Sequence, residues 1–200
     1  MVRSEKEFRP LPYAAGCAAL AAILLMAGCG GSLYKVKPVV EAPVAGAAAS
    51  AGAGGISFRA VPLLTDEESQ ELFEANLPLS GLLPVRVELG NEGSAPVALE
   101  RARFRLRDST GREWKARSAK QAVSRILDAN AVTLYNPNAR ARFEEAVSAY
   151  ALDTKTPLAP AEHRRGMIFF QTPKKEPVES PRSLTITVER LPQPIELHLN

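Results

Sequence analysis

Residues 83–89, Leu83-Pro84-Val85-Arg86-Val87-Glu88-Leu89, alternate in polarity, and the turn-forming sequence Asn91-Glu92-Gly93-Ser94 follows them. An alternation with a period of two places Val85, Val87 and Leu89 on one face of a β-strand. Asparagine, glycine and serine favour a reverse turn. This stretch therefore predicts a half-buried strand that leads into an antiparallel neighbour.

Six further segments of the chain after residue 55 carry strand patterns. They are residues 56–61, 96–107, 112–117, 167–170, 184–189 and 195–199. About seven short strands separated by turns are typical of two antiparallel sheets packed face to face. The sequence therefore predicts a mainly β fold, an antiparallel β-sandwich of about seven strands spanning residues 56–200.

The second of these segments changes phase along its length. Val97 and Leu99 are apolar at odd positions, whereas Phe104 and Leu106 are apolar at even positions. One straight strand cannot keep both sets on the same face. We therefore expect a bulge or a bend that switches sheets near Glu100 and Arg101.

Three helices are predicted between the strands, each from a capping signal. Thr65 with Glu68 and Ser118 with Gln121 are capping boxes, and Asn136-Pro137 is an N-cap followed by proline at the first helical position. The first helix is expected to end near Asn76. The other two form a helical insertion at residues 118–152, which we expect to cover one edge or end of the sandwich. Their predicted apolar faces carry Ala119, Ala122, Val123, Ile126 and Leu127, and Ala139, Phe143, Ala146, Val147 and Tyr150.

The first 28 residues have the layout of a secretory signal peptide. Arg3, Lys6 and Arg9 precede an uncharged segment, residues 11–28, which ends in small residues before Cys29. An uncleaved transmembrane helix is the alternative, since 18 residues lie near the lower limit for a span. Both interpretations export the rest of the chain.

The sequence Leu25-Met26-Ala27-Gly28-Cys29 resembles the lipobox of bacterial lipoproteins. The resemblance implies cleavage before Cys29, a diacylglycerol on its sulfur, and attachment to a membrane through that lipid. Gly30, where retained lipoproteins commonly have aspartate, favours the periplasmic face of the outer membrane if the host is Gram-negative.

Residues 29–55 are predicted to be the lipidated cysteine and a flexible linker. Residues 42–55 comprise seven alanines, four glycines, one proline, one valine and one serine, without a charge. Such a composition buries too little surface to offset the cost of ordering. As a coil, the 26 residues after Cys29 would span roughly 25–30 Å.

Charge and cysteine content exclude several classes of function. Of 25 basic and 22 acidic residues, 20 and 19 lie in residues 56–200, which is not the balance of a nucleic-acid-binding protein. Cys17 and Cys29 both precede residue 30, which excludes a disulfide-stabilised core and a cysteine-based zinc site.

No sequence motif for catalysis is evident. The chain has no nucleophile-elbow, phosphate-loop or His-Glu-x-x-His pattern. His163 and His198 are interpreted as surface residues, and Asp66, Glu67 and Glu68 as acidic residues of a helix's first turn. We therefore expect a protein that is not an enzyme and that has no cofactor and no metal site.

The one unusual cluster is Arg101, Arg103, Arg105 and Arg107, at alternate positions along a predicted strand. Four like charges on one face need partners. Cross-strand pairing with glutamates is one interpretation, for which the candidates are Glu88, Glu100 and Glu113. The other is a cationic strip that binds phosphate, a lipid headgroup, a glycan carboxylate or an acidic protein.

The strand-turn-strand sequence at residues 85–97, with Leu158-Ala159-Pro160 and Gly166-Met167-Ile168-Phe169-Phe170, resembles telokin-like, immunoglobulin-like domains of bacterial lipoproteins. The resemblance implies a sandwich and an extracytoplasmic setting, and it brings no catalytic residues. We therefore expect a membrane-anchored, non-catalytic protein-interaction or structural module of the cell envelope, with an envelope protein as its partner. The alternative is a carrier or accessory subunit for an anionic envelope component, bound by the strip at residues 101–107.

The aromatic residues of the third strand and of the insertion also allow two interpretations. They are Trp114, Tyr135, Phe143 and Tyr150. Core packing is one, and an aromatic-lined groove between insertion and sandwich is the other.

Overall fold

A computed structural model of the chain describes residues 34–40, 44, 48–132 and 136–199, all within one compact unit, Tyr34–Asn200. The predicted signal peptide at residues 1–28, the predicted lipidation site Cys29, and Tyr135 lie outside the described residues. Within the part that is described, no helix is long and apolar enough to cross a membrane.

Eight antiparallel strands form one continuous sheet. They are β1 (Ala49–Ala53), β2 (Ile56–Pro62), β3 (Leu82–Asn91), β4 (Arg103–Arg107), β5 (Glu113–Arg117), β6 (His163–Gln171), β7 (Thr185–Glu189) and β8 (Ile195–His198). Hydrogen bonds give the order β1-β2-β3-β6-β5-β4-β7-β8, and the sheet curls until its edge strands β1 and β8 lie close together. The mainly β, antiparallel prediction is confirmed. The arrangement differs from the seven strands in two sheets that the alternation suggested.

The additional strand comes from the alanine- and glycine-rich tract that composition assigned to the linker. Gly54 and Gly55 both have positive φ, 59° and 77°, as the two central residues of a tight hairpin between β1 and β2 require. The alanines at alternate positions of β1 pack against the core inside the sheet. This part of the predicted linker is therefore an ordered strand.

The start of the predicted linker is also docked on the domain. Tyr34 is buried and stacks on Phe143 with ring centroids 4.8 Å apart. The amide of Lys37 donates to the carbonyl oxygen of Leu72 at 2.8 Å, and its ammonium pairs with Glu71 at 3.0 Å. Residues 34–40 thus belong to the same compact unit as the predicted domain at residues 56–200.

Two hydrophobic clusters lie on opposite sides of the sheet. The inner cluster contains Val85, Val87 and Leu89, as the alternation predicts. The outer cluster joins the sheet to helices α1 (Asp66–Phe73), α2 (Ala119–Ala129) and α3 (Pro137–Tyr150). Consecutive residues of β6 alternate between them, so that Phe169 contacts the helices and Phe170 lies in the inner cluster.

The predicted insertion therefore covers a face of the sheet instead of an edge or an end. The central strands β3 and β6 present apolar side chains outward as well as inward, for example Leu82 and Phe169, and this outward surface needs a cover. All five predicted apolar residues of α2 are buried. In α3, every predicted residue except the half-buried Ala146 is buried.

The predicted helix starts are confirmed. Both capping boxes form at Thr65 and Ser118, and the Asn136 side chain accepts from the first amides of α3. Helix α1 ends at Phe73, short of the predicted Asn76, because Glu74 takes a left-handed conformation with φ 48°.

Where the sequence predicts a bulge or a bend near Glu100 and Arg101, the structure has a tight turn. The amide of Ala102 donates to the carbonyl oxygen of Leu99 at 2.9 Å, and the strand resumes only at Arg103. Before the turn, Val97 forms an isolated bridge with Leu158. The segment at residues 96–107 is therefore a short β4 preceded by irregular chain.

Candidate functional site

The arginine strip is only partly assembled by the fold. Arg103, Arg105 and Arg107 alternate along β4, with β5 on one side and β7 on the other. Arg101 lies in the preceding turn, outside the strand. The sequence pattern of four arginines thus becomes three on one strand face and one beside it.

Arg105 pairs with two glutamates that lie opposite Arg103 and Arg107 in the strand register. Glu113 stands across from Arg107, yet both its oxygens accept from Arg105 Nη1, at 2.9 and 2.8 Å. Glu189 stands across from Arg103, yet it accepts from Arg105 Nε at 3.2 Å. The hydrogen bond to Glu113 and the charges of Glu113 and Glu189 raise the pKa of Arg105.

The pairing interpretation is therefore confirmed for Arg105 and Glu113, with Glu189 as a partner that the sequence did not indicate. Within the described ranges, Arg103 and Arg107 form no ion pair, and both are exposed. Glu88, which the sequence offered as a partner, lies on β3 and binds Arg165 instead. The outer face of β4 therefore carries two uncompensated guanidinium groups.

Glu88 is a buried carboxylate held by three groups. It accepts from Arg165 Nε at 2.9 Å and from the Val44 amide at 3.4 Å, and its other oxygen lies 3.4 Å from His163 Nδ1. Burial acts to raise the pKa of Glu88, but the hydrogen bonds from Arg165 and Val44, together with the charges of Arg165 and His163, lower it overall. His163 is half exposed, at the first position of β6.

A pocket of about 610 Å³ opens beside this cluster. Its wall combines residues 37–40 and Val44 of the docked N-terminal segment, the end of α1, the end of α3, and the outward faces of β2, β3 and β6. Tyr150 closes the α3 side, and its hydroxyl donates to the carbonyl oxygen of Lys37 at 2.8 Å. Sequence reasoning missed this pocket because six separate segments build it.

One cation of the pocket wall has no partner among the described residues. Lys37 pairs with Glu71, Arg164 with Glu162, and Arg165 with Glu88. Arg86 is exposed, and no hydrogen bond or ion pair of its side chain occurs in the part of the chain that the structure describes.

Asp108 organises the turn between β4 and β5. Its carboxylate accepts from the Thr110 amide and hydroxyl, from the Arg112 amide and Nε, and from Trp114 Nε1 at 3.0 Å. Burial acts to raise its pKa, but the hydrogen bonds, led by those of Thr110 and Trp114, lower it from 3.8 to about 2. The group is built to stay ionised and to hold the turn.

Acid should therefore destabilise the protein through Asp108. Because the folded-state pKa is below the unfolded value, the stabilisation is present above about pH 4 and is lost as the pH falls toward 2. A shift of this size corresponds to about 2 kcal/mol. Urea unfolding at several pH values should show a loss of about that amount that Asp108→Asn does not show; equal losses in both proteins would contradict this.

A hydroxyl–imidazole–carboxylate arrangement occurs on β7 and β8, but without a site around it. Thr185 Oγ1 lies 2.9 Å from His198 Nδ1, and His198 Nε2 lies 3.9 Å from Glu196 Oε1. His198 is largely exposed, as the sequence predicts, and it does not line the pocket beside Glu88. Across the described residues, no group of three metal-binding side chains occurs.

The aromatic residues divide between the two interpretations. Trp114 lies in the inner cluster, and Phe143 and Tyr150 lie in the outer cluster, so core packing is confirmed for these three. Tyr150 also lines the pocket, which lies between α3 and the sheet.

Comparison with known proteins gives no family and no function. No protein-family model matches this chain, and no curated protein is significantly similar to it. Among solved structures, it is similar to a conserved hypothetical protein from Bacillus anthracis, with 14% sequence identity and a TM-score of 0.39. The match covers 84% of this chain and 97% of that one.

Proposed function

We propose that this protein is a membrane-anchored bacterial lipoprotein of the cell envelope that acts by binding, as a non-catalytic protein-interaction or structural module. Lipidation at Cys29, the immunoglobulin-like resemblance and the outer-membrane location belong to this proposal. The structural observation that supports it is the docking of Tyr34 and Lys37 on the domain, a few residues after the lipobox-like sequence, which would keep the domain near a lipid on Cys29.

Docking shortens the tether that the composition suggested. Five residue steps separate Cys29 from Tyr34. A fully extended chain spans at most about 3.6 Å per residue, so this segment reaches at most about 18 Å. A lipid on Cys29 would therefore hold the domain close to the bilayer, as suits a module that works beside membrane-bound partners.

The partner surface that we favour is the outer face of β4 and β5. Arg103, Arg107 and Lys115 are exposed there around the paired Arg105. Because Glu113 and Glu189 both pair with Arg105, Arg103 and Arg107 lack partners on this face. A partner protein with an acidic surface could supply carboxylates to them.

Site-specific photocrosslinking in intact cells tests this surface. A crosslinking residue in place of Lys115 should give a discrete protein adduct, which Arg103→Glu with Arg107→Glu abolishes. A crosslinker in place of Arg142, exposed on α3, is the matched control and should give no such adduct. No adduct at position 115, or the same adduct at both positions, would contradict the assigned surface.

The second candidate is a carrier or accessory subunit for an anionic envelope component, and the exposed, unpaired Arg103 and Arg107 favour it. Arg103→Ser with Arg107→Ser should then weaken retention of the purified protein on anionic vesicles and leave the melting temperature unchanged. Arg105→Ser should lower the melting temperature, because it leaves Glu113 and Glu189 without their cation. Unchanged retention of the double variant would exclude this candidate.

A further inference from the structure

The pocket between the docked N-terminal segment and the sheet combines an unpaired cation with an apolar wall. Its polar side carries Arg86, with Tyr150 and Arg165 nearby on the wall. Its apolar side carries Val39, Val40, Val44, Val61, Leu72 and Met167. Val39 and Val40 are 42% and 82% exposed, unusual for valines.

The cations of the pocket wall differ in whether a carboxylate neutralises them. Every other lysine and arginine of the pocket wall is neutralised by a carboxylate, at N–O distances of 3.0 Å for Lys37, 2.6 Å for Arg164 and 2.9 Å for Arg165. Glu71, the carboxylate on the wall, is the partner of Lys37. Among the residues that the structure describes, the guanidinium of Arg86 is therefore the one cation of the wall without a carboxylate partner, and its donors are planar and bidentate.

The pocket is large enough for an acyl chain with a polar head group. About 610 Å³ lies within the usual range of ligand pockets, roughly 300–1,000 Å³. An inorganic anion would leave the exposed Val39 and Val40 in water, and a neutral hydrocarbon would leave Arg86 without a partner. We propose that this pocket binds an anionic amphiphile, an acyl chain with a carboxylate or phosphate head, whose head pairs with Arg86 and whose chain covers Val39 and Val40.

This site is separate from the strip on β4 and does not depend on anchoring at Cys29. Its lining residues come from β2, β3 and β6 and from the helical side of the sheet, and none comes from β4 or β5. The proposal therefore stands or falls on binding by the compact unit itself. Because the compact unit spans Tyr34–Asn200, a chain beginning at Gly30 contains all of it.

Titration calorimetry on that chain tests the proposal with four probes. Dodecanoate and dodecyl phosphate represent the two kinds of head, dodecyl maltoside is the neutral control, and acetate is the anion without a chain. We expect binding of one or both of the first two, at least tenfold tighter than of the last two. The stronger of the two anionic probes identifies the head.

Variants then locate the site. Arg86→Gln should weaken binding of the anionic probe about tenfold or more, whereas Arg86→Lys should retain part of it, because lysine keeps the positive charge but loses the planar, bidentate donors. Arg142→Gln, at an exposed arginine of α3 that lies outside both the pocket and the β4 strip, is the matched control and should bind like the unsubstituted protein. Val39→Ser with Val40→Ser should weaken the anionic amphiphiles several-fold.

Three results would overturn the proposal: no binding of either anionic amphiphile, equal affinity for dodecanoate and dodecyl maltoside, or unchanged affinity in Arg86→Gln. Tight binding of acetate would also overturn it, because the apolar wall would then have no role. Arg86 is exposed, and its side chain forms no hydrogen bond or ion pair with the described residues, so Arg86→Gln should leave the melting temperature unchanged.

Discussion

Phe169→Ala should lower the free energy of unfolding by about 3–5 kcal/mol, the usual cost of removing a fully buried phenylalanine. Phe169 is 1% exposed and lies on the outward face of β6, in the cluster that joins the helices to the sheet. Its ring meets Phe73 of α1 edge-to-face at 6.1 Å, and Phe73 in turn meets Tyr150 of α3 at 5.1 Å. One side chain therefore connects two helices to the strand.

Urea unfolding followed by circular dichroism measures this loss, and hydrogen exchange locates it. Amides of α1 and α3 should exchange faster in the variant, while those of β7 and β8 should change less. Leu79→Ala, at a leucine that is 55% exposed, is the control and should cost at most about 0.5 kcal/mol. The loss in the free energy of unfolding for Phe169→Leu should lie between those of the two alanine variants. A loss below about 1 kcal/mol in Phe169→Ala would show that Phe169 does not hold the helices on the sheet.

Gly166→Ala is the second large effect that we expect. A Cβ at this position of β6 would lie 2.5 Å from the Leu152 Cα and 2.6 Å from its nitrogen. These are backbone atoms of the segment after α3, where the Leu152 amide donates to the carbonyl oxygen of Met167 at 3.0 Å. Overpacking of this kind costs about 1–3 kcal/mol, and the upper end applies because backbone cannot rotate away.

Thermal and urea unfolding of Gly166→Ala should show that loss. Gly93→Ala is the matched control, since its new Cβ would meet only the Asn91 side chain, at 3.1 Å, and its φ needs no glycine. We expect about 0.5 kcal/mol or less for the control. Equal stability of the two variants would contradict the close approach of residues 151–152 to β6.

Local signals in the sequence predicted local structure well. The capping boxes at Thr65 and Ser118 and the N-cap at Asn136 mark the three helix starts, because each depends on residues within one turn. The phase change near Glu100 located a real turn for the same reason.

What the sequence could not show depends on pairing between distant segments. Alternation identifies the strands but not their order, so it could not decide between two sheets and one. The alanine- and glycine-rich composition of β1 resembles that of a flexible linker, so composition alone did not predict this strand. The Gly54-Gly55 pair is nevertheless a typical signal for a two-residue hairpin turn. Glu189 and Arg105, which pair in the structure, are 84 residues apart in the sequence. The lining of the pocket likewise brings together residues as far apart as Lys37 and Met167.

We have proposed that a lipid on Cys29 holds this domain beside a membrane. Intact-mass spectrometry of the protein isolated from its own cells can test this anchor. We predict a membrane-fraction chain that begins at Cys29 and carries a diacylglyceryl group, and a Cys29→Ser variant that carries no lipid and leaves that fraction. A chain that still begins at Met1, without lipid and free in the cytosol, would contradict the account.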